Sequence, residues 1–120
     1  MKQALGVMEE RFAQLLWDWV PIASGQLVER CAAAFGWKKS TMYTMLRRLC
    51  ERGLFVNEGG MVSACMSRED YLARRSEAAV DDGFGGSLPL FVAAFTRRKK
   101  LSAQEIEALR RLIDQHETED

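Results

Sequence analysis

What this sequence has little of narrows its chemistry before any motif is read. It contains one histidine, His116, near its end. A nucleophile relay through histidine, or a multi-histidine metal site, would have a single copy to work with. Its three cysteines, Cys31, Cys50 and Cys65, form no Cys-x-x-Cys pair. An odd count without that spacing fits neither a disulfide framework nor a zinc site, and each cysteine is expected to be a small buried hydrophobe. No run of about 18 apolar residues occurs, so no membrane-spanning helix and no membrane insertion are expected. The opening MKQALGVMEERF has neither a continuous apolar stretch nor a small-residue cleavage site, which argues against a secretory signal and for a cytoplasmic protein. There is no Gly-x-Gly-x-x-Gly loop to cradle phosphates. The carboxylates Asp81 and Asp82 fall in a Gly-rich stretch without an acid–base partner type beside them. No enzyme activity, metal or cofactor is expected.

What is present is an ordinary globular mixture in 120 residues, 48 % hydrophobic and 28 % charged. That length suits one domain or two very small ones. The net charge is zero, but it is unevenly spread. Residues 37–53 carry Lys38, Lys39, Arg47, Arg48 and Arg52 against Glu51 alone, and residues 97–100 read Arg-Arg-Lys-Lys. From 101 onward acids dominate. A neutral total hides two basic blocks and an acidic tail.

Apolar residues at steps of three and four (Leu5, Met8, Phe12, Leu15, Leu16, Trp19) predict a first helix over 5–19, stopped by Pro21. Ser24 is expected to cap a second helix bearing Leu27, Val28, Cys31, Ala32 and Phe35, ended by Gly36. A third begins near Lys39 or Ser40 with Met42, Leu46, Leu49 and Cys50 as its buried stripe, and ends at Gly53. Residues 54–56 and 61–66, around Asn57-Glu58-Gly59-Gly60, read as a β-hairpin. Ser67 is expected to cap a fourth helix running to about Val80, broken by Asp81-Asp82-Gly83 and Gly85-Gly86. Ser87 caps a fifth. Ser102 and Glu105 form a capping-box pattern before a sixth.

Three helices closed by a hairpin is the order of a winged helix-turn-helix. The expected fold is mainly α, with a winged-helix DNA-binding domain at 1–66 and a helical dimerisation region at 67–120. The trailing helices are too few to bury their own apolar side. Leu72, Leu88, Phe91, Val92, Phe95, Ile106, Leu109, Leu112 and Ile113 are expected to bury it against a second copy. Trp17, Trp19, Trp37, Phe12 and Phe35 could be imagined as a ligand cage, but aromatics at helical spacing read as core. The run 97–100 reads as a solvated loop between helices.

A helix that reads DNA needs cations for phosphates and short polar groups for base edges. The third helix has both, with Ser40, Thr41, Tyr43 and Thr44 among its cations. By itself this is a solvated basic face. As the third helix before a wing, it reads as a DNA-reading surface.

At these residues the sequence resembles the penicillinase-repressor family of transcriptional regulators, which includes copper-responsive members. Residues 36–53, GWKKSTMYTMLRRLCERG, are similar to the family's recognition-helix signature, GWxxxTxxTxLxRLxxKG. Glu9 with Leu15-Leu16-Trp17 matches its first-helix element, and Gly86-Ser87-Leu88, Leu101-Ser102, Glu105-Ile106 and Leu109 match its dimerisation segment. The resemblance implies a homodimeric repressor on a palindromic promoter operator of double-stranded DNA. It implies that Thr41, Tyr43, Thr44 and Arg47 face bases, and that Lys38, Lys39, Ser40 and Arg48 face phosphates. A membrane sensor protease is a further implied partner. Three departures stand out. The wing is short and carries only Glu58, where family wings carry Lys or Arg. The pair Ala94-Phe95 replaces the Asn-Phe bond that is cleaved in some members. The final residues, Gln-His-Glu-Thr-Glu-Asp, lack the Cys-x-Cys of the copper-responsive members, so copper release by that route is not expected. Two rival readings are a thiol- or metal-sensing winged-helix regulator and a helical protein-interaction module without DNA binding.

Overall fold

The structure, a computed structural model, describes residues 5–119. They fall into two compact units, one ending at Ser76 and one beginning at Glu77. The elements run α1 (Val7–Trp19), β1 (Ile22–Ala23), α2 (Ser24–Phe35), α3 (Lys39–Glu51), β2 (Phe55–Glu58), β3 (Met61–Ala64), α4 (Arg68–Phe84), α5 (Leu88–Arg98) and α6 (Ala103–Glu119). This is the mainly α, winged helix-turn-helix order expected from the sequence. None of these helices is long and apolar enough to cross a membrane.

The first unit owes its core to the three- and four-step spacing of its apolar residues. Phe12, Ala13 and Leu16 of α1, Leu27 and Cys31 of α2, and Met42, Met45, Leu46 and Leu49 of α3 meet Leu54, Phe55 and Val62 of the hairpin region. Met45 is buried although it was not on the expected stripe of α3. Cys50, which was on it, is only half-buried. The five aromatics at helical spacing pack in or against this core, with Phe12 edge-on to Trp37 at 5.2 Å and Trp17 tilted on Phe55 at 5.1 Å.

The sheet has the order β1-β3-β2, all antiparallel. β1 was not expected, because two residues carry no periodicity. It exists because β3 offers a free edge, where Ile22 pairs with Val62 and Ala23 with Met61. The hairpin is longer than expected on one side: Asn57 and Glu58 belong to β2, and Glu58 pairs with Met61. The loop is then only Gly59-Gly60, with φ of 59° and 85°. Two positive φ values in a two-residue hairpin loop are what glycine supplies at little steric cost.

Ser24 does not cap α2 with its side chain. Ala23 is the capping residue, and Ser24 is the first helical residue, with its amide donating to the Gly60 carbonyl of the wing turn at 2.8 Å. Helix α4 continues past Val80 through Asp81, Asp82 and Gly83 to Phe84. Those residues cost a helix interior roughly 1 kcal/mol or less each, too little to break it. The stop comes at Gly85 and Gly86, with φ of 58° and 82°, where the Gly86 amide closes on the Val80 carbonyl at 3.2 Å. The other caps follow the sequence. Ser67 Oγ accepts from the Asp70 amide and Ser87 Oγ from the Leu90 amide, while Ser102 and Glu105 bond reciprocally at 3.1 and 2.9 Å.

Candidate nucleic-acid interface

Helices α2 and α3 are joined by Gly36, Trp37 and Lys38 alone. Gly36 sits at φ 69°, which turns the chain out of α2, and the Trp37 ring stacks on Phe35 at 4.4 Å. With Phe12 edge-on to it at 5.2 Å, Trp37 wedges the entry of α3 to the core of the first unit. The buried stripe of α3 then fixes which face turns outward.

That outward face carries the residues expected from the sequence. Lys38, Lys39, Ser40, Thr41, Thr44, Arg47 and Arg48 are exposed, and Tyr43 is half-buried. Thr41, Thr44 and Arg47 recur at steps of three and so lie along one strip of the helix. The cations differ in freedom. Arg48 lies 3.6 Å from Glu9 of α1, whose side chain is 15 % exposed, and its guanidinium also touches the Met45 sulfur. Lys38, Lys39 and Arg47 make no ion pair among the described residues.

One feature was not visible as a residue motif. No side chain caps the N-terminus of α3, whose capping residue is Lys38. The first bond back into the helix is the Met42 amide to the Lys38 carbonyl at 3.1 Å. The amides of Lys39, Ser40 and Thr41 therefore point out of the helix end, where the helix dipole favours anions. The signal that could have found it is the lack of Ser, Thr, Asp or Asn at position 38.

A model of the family described as penicillinase repressor matches residues 5–115, spanning both units and the α2–α3 motif. The chain belongs to the penicillinase repressor family. One member, the penicillinase repressor of Bacillus licheniformis, is 24 % identical over 107 residues, covering 86 % of this chain and 84 % of that protein. The penicillinase repressors are a family of transcriptional repressors.

The wing of this family member is bare of cations: Asn57, Glu58, Gly59, Gly60 and Met61 are exposed, and Glu58 is its one charge. The second unit contains no fully buried side chain among its described residues. Leu88, Val92, Phe95, Ile106, Leu109, Leu112 and Ile113 are all exposed, from 37 % at Ile106 to 65 % at Ile113. Phe91 is half-buried and meets Phe84 edge-on at 5.4 Å. Leu72, expected with this group, lies exposed on the part of α4 that belongs to the first unit.

The cysteines divide three ways. Cys31 is buried, which pushes its thiol up to about 11. Cys50 is half-buried and also raised, by burial first and by the nearby Cys65 second. Cys65 corrects the expectation of a buried hydrophobe, because it is exposed. The chain bends after β3 so that Met66 turns inward, where its carbonyl accepts the Trp17 indole N–H at 2.9 Å, and Cys65 is left outside. Among the described residues no group of three His, Cys, Asp or Glu could hold a metal ion.

Proposed function

We propose that this chain represses transcription by binding operator DNA as a homodimer. The N-terminal region, 1–66, reads the duplex, and the helices of 67–120 pair two copies. The observation that carries the reading is the division of α3: Met42, Met45, Leu46 and Leu49 are locked in the core, which leaves Thr41, Thr44 and Arg47 outward beside exposed Lys38 and Lys39. In a helix-turn-helix the second helix enters the major groove with its N-terminal half on base edges. Thr41, Tyr43, Thr44 and Arg47 would meet bases there. Lys38, Lys39, Ser40 and the open amides of the helix end would hold phosphates. Arg48, shared with Glu9, is the weakest phosphate contact of the set. The wing adds little charge attraction.

The homodimer is supported by the lack of any buried side chain among the second unit's described residues, since amphipathic helices without an interior need another surface to cover them. A two-fold dimer presents two α3 helices and calls for a palindromic site. A sensor protease at the membrane rests on family resemblance alone.

The test is selection of bound duplexes from a random library with the full chain, followed by titration of the winner against scrambled DNA. A palindromic consensus with steep salt dependence is expected. No enriched sequence, together with salt-independent binding, would overturn the reading and favour a protein-interaction module.

A further inference from the structure

We propose that α6 packs antiparallel on α6 of a second copy, seating the basic elbow Arg97–Lys100 of each copy on the acidic end of α6 in the other. This rests on the homodimer reading and specifies how the two copies meet.

The apolar evidence comes first. α5 and α6 enclose an open groove of about 370 Å³, floored by Phe91, Val92, Phe95, Leu101 and Leu109. Exposure then climbs along α6, from 37 % at Ile106 and 40 % at Leu109 to 61 % at Leu112 and 65 % at Ile113. The later half of α6 is therefore the part most in need of cover. An antiparallel neighbour lays its own earlier half, and the elbow before it, over that part. With the two-fold axis near Leu109, Ile106 of one copy faces Leu112 of the other, so the same stripe is covered twice.

The charges give the same register independently. The ion pairs Arg48–Glu9, Arg68–Asp18 and Arg75–Glu10 lie in the first unit. In the second unit Arg97, Arg98, Lys99 and Lys100 are exposed at the end of α5 and in the loop after it, with no ion pair to an acid among the described residues. Asp114 and Glu117 are exposed near the end of α6, with no ion pair to a cation among the described residues. Arg110 and Arg111 are within helical reach of Asp114 and form no pair with it. Anions near a helix C-terminus oppose the helix dipole, so these acids are placed unfavourably within their own chain. Across an antiparallel pair the elbow of one copy comes alongside Asp114 and Glu117 of the other, twice per dimer. Opposite charges at the rim set register and suppress wrong pairings more than they add affinity.

Charge exchange tests this without DNA. One full-length variant combines Lys99→Glu with Lys100→Glu, and the other combines Asp114→Lys with Glu117→Lys. At the four substituted positions each alone sets like charge on like charge. The 1:1 mixture restores opposite charges at those positions, with Arg97 and Arg98 unchanged throughout. Sedimentation equilibrium at about 50 mM and about 500 mM salt reads the outcome. At low salt each variant should dimerise about tenfold more weakly than the wild type, the mixture should recover the wild-type constant, and high salt should shrink the differences. Recovery in the mixture also shows that both chains are folded. If the wild type is a dimer and the variants match it, or the mixture is no tighter than its components, the antiparallel register is wrong while the homodimer stands. A monomeric wild type at micromolar concentration removes both.

Discussion

Tyr71 donates its phenolic hydroxyl to Glu10 Oε2 at 2.7 Å, and Arg75 pairs with the same carboxylate. One turn earlier, Arg68 reaches the Gln14 carbonyl and Asp18, each at 2.7 Å. The first turns of α4 are thus tied to α1 by polar contacts, with the Tyr71 ring also lying 5.2 Å from Trp17. Partial burial and the bond to Glu10 raise the Tyr71 hydroxyl above its ordinary value of 10.0. A group raised in the fold stabilises below its unfolded value and stops doing so as pH climbs through the folded one. Tyr71→Phe keeps the ring and should cost about 1 kcal/mol at neutral pH, read by urea unfolding. The gap to wild type should close above pH 10, where the phenol ionises beside Glu10. A gap that is constant from pH 7 to 11 would show that the bond contributes nothing of this kind.

The cysteines should react in order of exposure. In native buffer a thiol reagent should modify Cys65 at once, Cys50 more slowly and Cys31 only on unfolding. Cys31, whose thiol is pushed from 9.0 to about 11, should also contribute stability below pH 9 that is lost between 9 and 11. The size is on the order of 2 kcal/mol. Cys31→Ala should flatten that part of the stability–pH curve, apart from the Tyr71 contribution. Fast labelling of Cys31 in the folded protein would contradict the packing of α2 on the core.

Much of this was legible from spacing. The stripes of α1 to α3, the Gly36 stop, the caps at Ser67 and Ser87 and the Ser102–Glu105 box are local: each needs only residues within a turn of one another. What failed was decided elsewhere in the chain. β1 depends on β3 some forty residues on, and the Ser24 amide goes to Gly60 for the same reason. Cys65 is outside because Met66 must face Trp17. The pairing of Arg48 with Glu9 joins two helices far apart in sequence, so the family resemblance placed Arg48 among the phosphate contacts without discount. The outward face of α3 was readable because the positions opposite it are almost all apolar.

The Glu9–Arg48 pair makes the cations of α3 unequal in a measurable way. Each lost phosphate contact should reduce the slope of log K against log salt by about 0.9, and a homodimer loses two per substitution. Lys39→Ala should therefore flatten the slope by about two, equally on operator and scrambled DNA. Arg48→Ala should flatten it by less, because Glu9 already offsets part of that charge. Glu9→Gln should tighten binding to both DNAs by releasing Arg48. Equal slopes for Lys39→Ala and Arg48→Ala would mean that the pair opens fully on DNA.

Thr44 and Arg47 separate base reading from phosphate holding. Both are exposed on the strip of α3 opposite buried Met42, Met45 and Leu49, and Arg47 has no acid partner in its own chain among the described residues. A threonine in the major groove can touch a thymine methyl and a base-edge acceptor, and an arginine can grip guanine with two bonds. Losing one good base contact costs about 1–3 kcal/mol, and only against the base it read. Thr44→Ala should reduce the operator-to-scrambled affinity ratio while leaving affinity for scrambled DNA nearly intact, since no charge is removed. Arg47→Ala should reduce both, because a cation is lost from every complex. A competition titration with both DNAs at one salt concentration distinguishes the two patterns. An unchanged ratio for Thr44→Ala would mean that α3 enters the groove rotated so that Thr44 faces backbone, and base reading would then have to move to Thr41 and Tyr43 at the start of the helix.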